Sequence, residues 1–257
     1  MNRVPLPLAM GMAVSECDED AAVGMLPLDG AVALPDGTLD PLALLPFVDQ
    51  LSSFPLCAGE GMRSAMSTID LTMDFATAGI AGPVTAEVRA MPGTGRARLV
   101  TGIVRDAGGA AVATSSAWFS IGAPPGGGEA EPPQIARPIL AADTFRDTIG
   151  LTPDGDDAAR LAPDIWAAVG WVGLPALHGG AIAATLGMAA FHRIATMGRT
   201  DLRLATLSVR FLRAANTSGA LAHATVDGIG RRTARLSVTL RNADAIAASA
   251  QALFVAD

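Results

Sequence analysis

The same order of segments occurs twice in this chain at nearly the same spacing, and that repeat limits the available folds more than any other feature. An apolar helical stretch, Asp40 to Leu51 (DPLALLPFVDQL), precedes an alternating segment, Ser67 to Phe75 (STIDLTMDF). A second apolar stretch, His178 to Ile194 (HGGAIAATLGMAAFHRI), precedes Ala205 to Phe211 (ATLSVRF). With Phe75 set on Phe211, VTAEVRA matches LAHATVD and Gly95-Arg96 matches Gly230-Arg231. RARLVTGIV then matches RTARLSVTL, and AAVATSSAWFSI matches AIAASAQALFVA. Phe75 to Phe119 spans 44 positions and Phe211 to Phe254 spans 43. A one-residue difference over four period-two segments marks an internal repeat. Between the copies, Gly122 to Pro138 (GAPPGGGEAEPPQIARP) is rich in Gly and Pro and has no apolar period, as expected of a linker. The expected organisation is a unit over residues 1–121, a linker over 122–138 and a second unit over 139–257. One helix followed by antiparallel strands with short turns makes each unit α+β. Such a sheet leaves an edge strand unpaired, and pairing two units edge to edge about a pseudo-two-fold removes the exposed edge.

Composition narrows the function. The formal charge of -7 disfavours nucleic acid as a partner, although an arginine cluster can still hold a few phosphates. All 18 basic residues are arginine. Without lysine there is no Schiff-base chemistry and no P-loop lysine. Cys17 and Cys57 form no CxxC pair and the three histidines are scattered, so neither a disulfide framework nor a structural zinc site is expected. A reduced, cytoplasmic setting follows as the default. Residues 4–14 are apolar but carry Pro5 and Pro7 and run into the acidic stretch Glu16 to Asp20, which fits mature chain and a first strand better than a leader. No segment is expected to span a bilayer.

Three elements at their mutual spacing carry a resemblance: His178-Gly179-Gly180, the apolar helix and strand after it, and Gly230-Arg231-Arg232-Thr233 opening ARLSVTL. Together they resemble the hotdog superfamily, and within it the PaaI-like and 4-hydroxybenzoyl-CoA-type acyl-CoA thioesterases. The resemblance implies a double hotdog: two curved antiparallel sheets, each wrapped on a central helix and joined across a pseudo-two-fold, with ligand sites between the halves. In those enzymes the residue after the motif histidine starts the helix and its N–H polarises the thioester carbonyl. An acidic residue nine positions after the histidine attacks or activates water.

Neither half keeps both parts. Nine positions after His178 stands Gly187. In the first half Asp49 is the acid, but Asp40-Pro41-Leu42 replaces the motif, and Pro41 has no N–H to give. Crossing Asp49 with Gly179, and with Gly180 beside it, completes one site; crossing Gly187 with Pro41 completes none. The resemblance further implies a hydroxyl near the acid, for which Thr68 or Ser67 is placed on the following strand, with Ser52 and Ser53 as competitors. His178 is expected to hold the helix entry, Arg231 and Arg232 to contact CoA phosphates, and Trp171 to shape the acyl pocket. An asparagine that the family carries before its motif is missing from GWVGLPALHGG. The expected activity is hydrolysis of a small-molecule acyl-CoA at one composite site. CoA is then part of the substrate, no metal or redox cofactor is involved, and the double hotdogs are expected to associate into homo-oligomers. The alternatives are a non-catalytic acyl-CoA binding module and, ranked lower, a hotdog hydratase or dehydratase.

Overall fold

The computed structural model describes residues 4–60, 65–93, 95–122, 143–171 and 174–256, without the side chains of 65 and 171–175. Most of the expected linker therefore lies outside the described residues. The chain opens with a short helix, α1 (Pro5–Ala9), begun by Pro5 at its first position, where a missing N–H costs nothing. The expected first strand starts later. Strands β1 (Ala13–Cys17) and β2 (Ala21–Leu26) form a hairpin whose turn is closed by Asp18, which accepts the N–H groups of Asp20 and Ala21. A 3-10 turn (Pro41–Ala43) leads into α2 (Leu44–Gly59), followed by β3 (Ala65–Phe75), β4 (Val84–Ala90), β5 (Ala97–Arg105) and β6 (Ala111–Gly122). The second half begins with a one-turn helix, α3 (Phe145–Thr148), then β7 (Leu151–Asp154) and β8 (Ala158–Leu161). A small two-stranded sheet, β9 (Val169–Trp171) and β10 (Leu174–Leu177), delivers the chain to α4 (Gly179–Thr196). Strands β11 (Leu202–Phe211), β12 (Ala220–Ile229), β13 (Thr233–Asn242) and β14 (Ala245–Ala256) complete it.

One antiparallel sheet of 12 strands runs β1-β2-β4-β5-β6-β3-β11-β14-β13-β12-β8-β7. Read from either end, the order is the same topology. The halves meet where β3 pairs with β11, in the register Asp74↔Thr206, Thr72↔Ser208 and Asp70↔Arg210. Thr72 and Ser208 are counterparts in the repeat, so the pseudo-dyad passes between them, and their hydroxyls are hydrogen-bonded at 2.8 Å. Irregularities also repeat: the register shifts between Thr68 and Asp70 in β3 and between Leu204 and Thr206 in β11. A bulge kept at one place in both halves bends each sheet where it must curve around its helix.

Helix α2 packs against β1 to β6, and α4 against β7, β8 and β11 to β14; the two helices also touch each other. Leu44, Leu45, Phe47, Val48 and Leu51 of α2 are fully or almost fully buried. Each contributes roughly 1.5–3 kcal/mol of transfer free energy. This packing carries α2 through Pro55 and a turn past it, beyond the end at Leu51 expected from the sequence. It also accounts for a second difference. The run Pro41–Gly59 is long and apolar enough to cross a bilayer, contrary to expectation, but 72% of it is buried within the fold as a core helix.

Candidate active site

A side-chain cap stands at the entry to each of the two long helices, α2 and α4. Asp40 caps the 3-10 turn that leads into the first, its Oδ1 accepting Leu42 N–H at 3.0 Å. His178 caps the second, its Nδ1 accepting Gly180 N–H at 2.9 Å. Both satisfy a donor that the first helical turn leaves without a partner. Asp40 is fully buried, and Arg146 compensates its charge from the second half through Nε to Oδ2 at 2.8 Å.

The helices then cross, antiparallel, and the crossing brings together the two residues paired from the repeat. A Cβ built on Gly179 would lie 2.7 Å from Asp49 Oδ2 and 3.4 Å from Thr68 Oγ1. Only glycine leaves that space open, and a substrate carbonyl placed there would touch both the start of α4 and the Asp49 carboxylate. Asp49 is 4% exposed. Its Oδ1 accepts the Thr68 hydroxyl proton at 2.7 Å, which leaves Oδ2 facing Gly179. Thr68 is delivered by the β3 bulge. Of its competitors, Ser53 donates to the Gln50 carbonyl, while the buried Ser52 hydroxyl has no partner among the described residues. Ser67 is exposed on the same strand.

Gly179 and Gly180 separate in role. The Gly180 N–H is engaged by His178, and a Cβ there would overlap Pro46 Cα and lie 2.6 Å from Pro46 Cβ. Gly180 therefore permits the close helix crossing. Gly179, first in α4, has no helical carbonyl one turn back, so its N–H is the donor at the positive end of the helix.

His178 is 5% exposed, and burial pushes its imidazole below the ordinary range, outweighing the opposing pull of Asp49. Its Nδ1 is 3.5 Å from Asp49 Oδ2. That contact is not an ion pair: Nδ1 already accepts from Gly180, so the proton sits on Nε2, and Nε2 donates to Gln50 Oε1 at 3.1 Å. Gln50 was missed from the sequence. The available signal was an uncharged polar residue beside Asp49 in an otherwise apolar run.

The other expected residues are not gathered here. Arg231 and Arg232 are exposed on the β12–β13 turn, where Arg199 donates to the Arg231 carbonyl and Ala256 to that of Arg232. Ala256 pairs with Leu202, whereas the Thr68 end of β3 lies beyond Arg210 on β11. At least eight residues separate the two levels, about 26 Å of strand. Arg96, the counterpart of Arg231 by the matched Gly-Arg pairs or of Arg232 by offset from Phe75 and Phe211, lies at the Thr68 end, its carbonyl accepting Ile121 N–H at 2.7 Å. Trp171 ends β9 close to His178, but its side chain lies outside the described residues. A surface depression of about 200 Å³ at the far end of α2, between Glu19, Pro55, Glu60 and Arg98, contains none of the site residues.

Residues 167–255 match the family model of the acyl-CoA thioesterase N-terminal domain. No curated protein sequence matches the chain. Among solved structures, the tesB protein of Mycobacterium avium subsp. paratuberculosis is 12% identical, with a TM-score of 0.63 over 98% of this chain and 99% of that one. The 12:0-ACP thioesterase of Umbellularia californica is 11% identical, with a TM-score of 0.62 over 92% and 94%. A hot dog fold protein of unknown function from Alicyclobacillus acidocaldarius is 16% identical, with a TM-score of 0.60 over 95% and 96%. At these identities the structural likeness establishes the fold: the whole chain is a double hotdog.

Proposed function

We propose that this chain, a double hotdog whose residues 167–255 match the acyl-CoA thioesterase family model, hydrolyses acyl thioesters at one site between its halves, built from Asp49, Thr68 and Gly179. The observation that carries this is the buried Asp49 carboxylate of α2 lying against the first residue of α4. The thioester carbonyl oxygen takes the Gly179 N–H, where the helix end stabilises the charge that develops on it. Asp49 Oδ2 either attacks the carbonyl carbon or takes a proton from the water that does. If water attacks, collapse of the tetrahedral intermediate breaks the C–S bond, the proton taken by Asp49 passes to the leaving sulfur, and thiol and free acid leave. If Asp49 attacks, collapse expels the thiolate and leaves an acyl–Asp49 anhydride, which a water molecule then hydrolyses to the free acid, its proton going to the thiolate. Thr68 holds the other carboxylate oxygen and so aims Oδ2 at the reacting carbon. No step calls on a metal or redox cofactor.

The test is thiol release from short, long and aromatic acyl-CoA and acyl-carrier-protein thioesters by wild type and Asp49→Asn. We expect turnover by wild type and a loss of at least about 1000-fold in the variant, with thioester binding retained. Binding without turnover by wild type on any ester would favour a non-catalytic acyl-CoA module instead. Single turnover in ¹⁸O-water, with rapid-quench detection of an acyl–Asp49 anhydride, separates the two roles of Asp49: label in the carboxylate or a trapped anhydride marks the nucleophile, and neither is formed by a general base.

A further inference from the structure

We infer that Gln50 is a positioning residue for this site: reaching across from the first half, it holds the His178 imidazole in the one tautomer whose Nδ1 can cap α4, which leaves Gly179 as the donor offered to substrate. The kinetic part rests on the hydrolase reading above; the structural part does not.

The hydrogen bonds form a directed chain. Ser53 donates its hydroxyl proton to the Gln50 main-chain carbonyl at 2.7 Å and accepts from Gln50 Nε2 at 3.1 Å. That fixes the amide with its oxygen turned to the ring, since a carboxamide presents one donor end and one acceptor end. Gln50 Oε1 then accepts from His178 Nε2 at 3.1 Å, and His178 Nδ1 accepts from Gly180 N–H at 2.9 Å. Each group has one compatible role, and the order runs from α2 of one half to α4 of the other.

Other states of the ring spoil the site in a definite way. A proton on Nδ1 would leave Gly180 N–H without its acceptor. The new N–H would also stand 3.5 Å from Asp49 Oδ2, the oxygen needed for chemistry. Asp49 of α2 is the charged side chain that faces the ring. Ala168 and Gly170 present backbone instead: the Ala168 carbonyl accepts His178 N–H, and Gly170 packs so closely that a Cβ would lie 2.9 Å from His178 Cα. Gln50 is thus the neutral acceptor that the tautomer requires. A carboxylate in its place would draw a second proton onto the ring.

Gln50→Leu and Gln50→Glu in the full chain test this, by steady-state kinetics at about pH 8 and about pH 6 and by ¹⁵N imidazole NMR, with His178 assigned by its loss in His178→Asn. Wild type is expected to show a proton fixed on Nε2. Gln50→Leu should lose about 10- to 100-fold in kcat with KM little changed, and should show tautomer averaging. Gln50→Glu keeps an acceptor; it should retain kcat at the higher pH and lose it at the lower, where wild type still works. Wild-type kcat with an unmoved tautomer in Gln50→Leu would overturn the inference. So would Gln50→Glu as impaired as Gln50→Leu at both pH values. A wild type that turns over no thioester would sink the hydrolase reading, while the tautomer measurements would still decide the role of Gln50.

Discussion

At the residue scale, the site is a set of hydrogen bonds that each require a particular protonation state. Burial holds the His178 pKa below its unfolded value, so the folded chain binds fewer protons there than the unfolded chain. Stability from this group is complete above the unfolded pKa, about 6.5, and is lost as the pH falls from there through the depressed folded pKa. Urea unfolding of wild type should therefore weaken in that window. The slope should flatten in His178→Asn, which can still cap α4 but does not titrate. Thr68→Val tests the other contact: it keeps the shape, removes the donor to Asp49 Oδ1, and should lower kcat by about 10- to 100-fold. Asp49 and Gly179 could be singled out from the sequence because a repeat turns each departure in one copy into a question about the other, whereas Thr68 came from the resemblance, with Ser67 as its alternative. Gln50 could not, because its role comes from a contact 128 residues away in the chain. Nor could the distance of Arg231 and Arg232 from Asp49, which depends on which end of β11 faces the intact half.

Among the elements, the strands that follow the helices were legible, since period-two alternation in segments such as VTAEVRA and ARLSVTL leaves no other economical reading. The strands that precede the helices were not. AAVGML in β2 and AARL in β8 are short and built from small residues, so neither period is visible. Their pairing with β4 and β12 places them in the sheet. Helix α2 was legible at its start but not at its end: a proline inside a helix removes a hydrogen bond, and here the burial of Ser52, Phe54 and Leu56 around Pro55 outweighs that loss. The helix crossing sets the spacing of the whole site, and Gly180 is its closest point. Gly180→Ala puts a methyl group into Pro46 backbone, which cannot yield as a side-chain tip would. It should cost about 3 kcal/mol or more, measured by urea unfolding, and should reduce turnover by moving Gly179 away from Asp49.

For the whole molecule, the pseudo-dyad between Thr72 and Ser208 makes every feature of the site answerable at a second place. There the parts are Pro41, Gly187 and Leu204 in place of Gly179, Asp49 and Thr68. The loss is not confined to one missing carboxylate. Pro41 has no N–H, Leu204 has no hydroxyl and is 3% exposed, and the Leu42 side chain fills the cleft, lying 2.5 Å from a Cβ built on Gly187. A single chain is free to diverge in this way, whereas two identical subunits would change both sites together. Asp49→Asn combined with Gly187→Asp is therefore expected to remain inactive on every thioester that wild type hydrolyses. The new carboxylate would displace Leu42 but find no oxyanion donor and no hydroxyl to orient it. Recovery of turnover in the double variant would show that the second crossing can still present a donor to a carbonyl, and that the division of labour between the halves is not as argued.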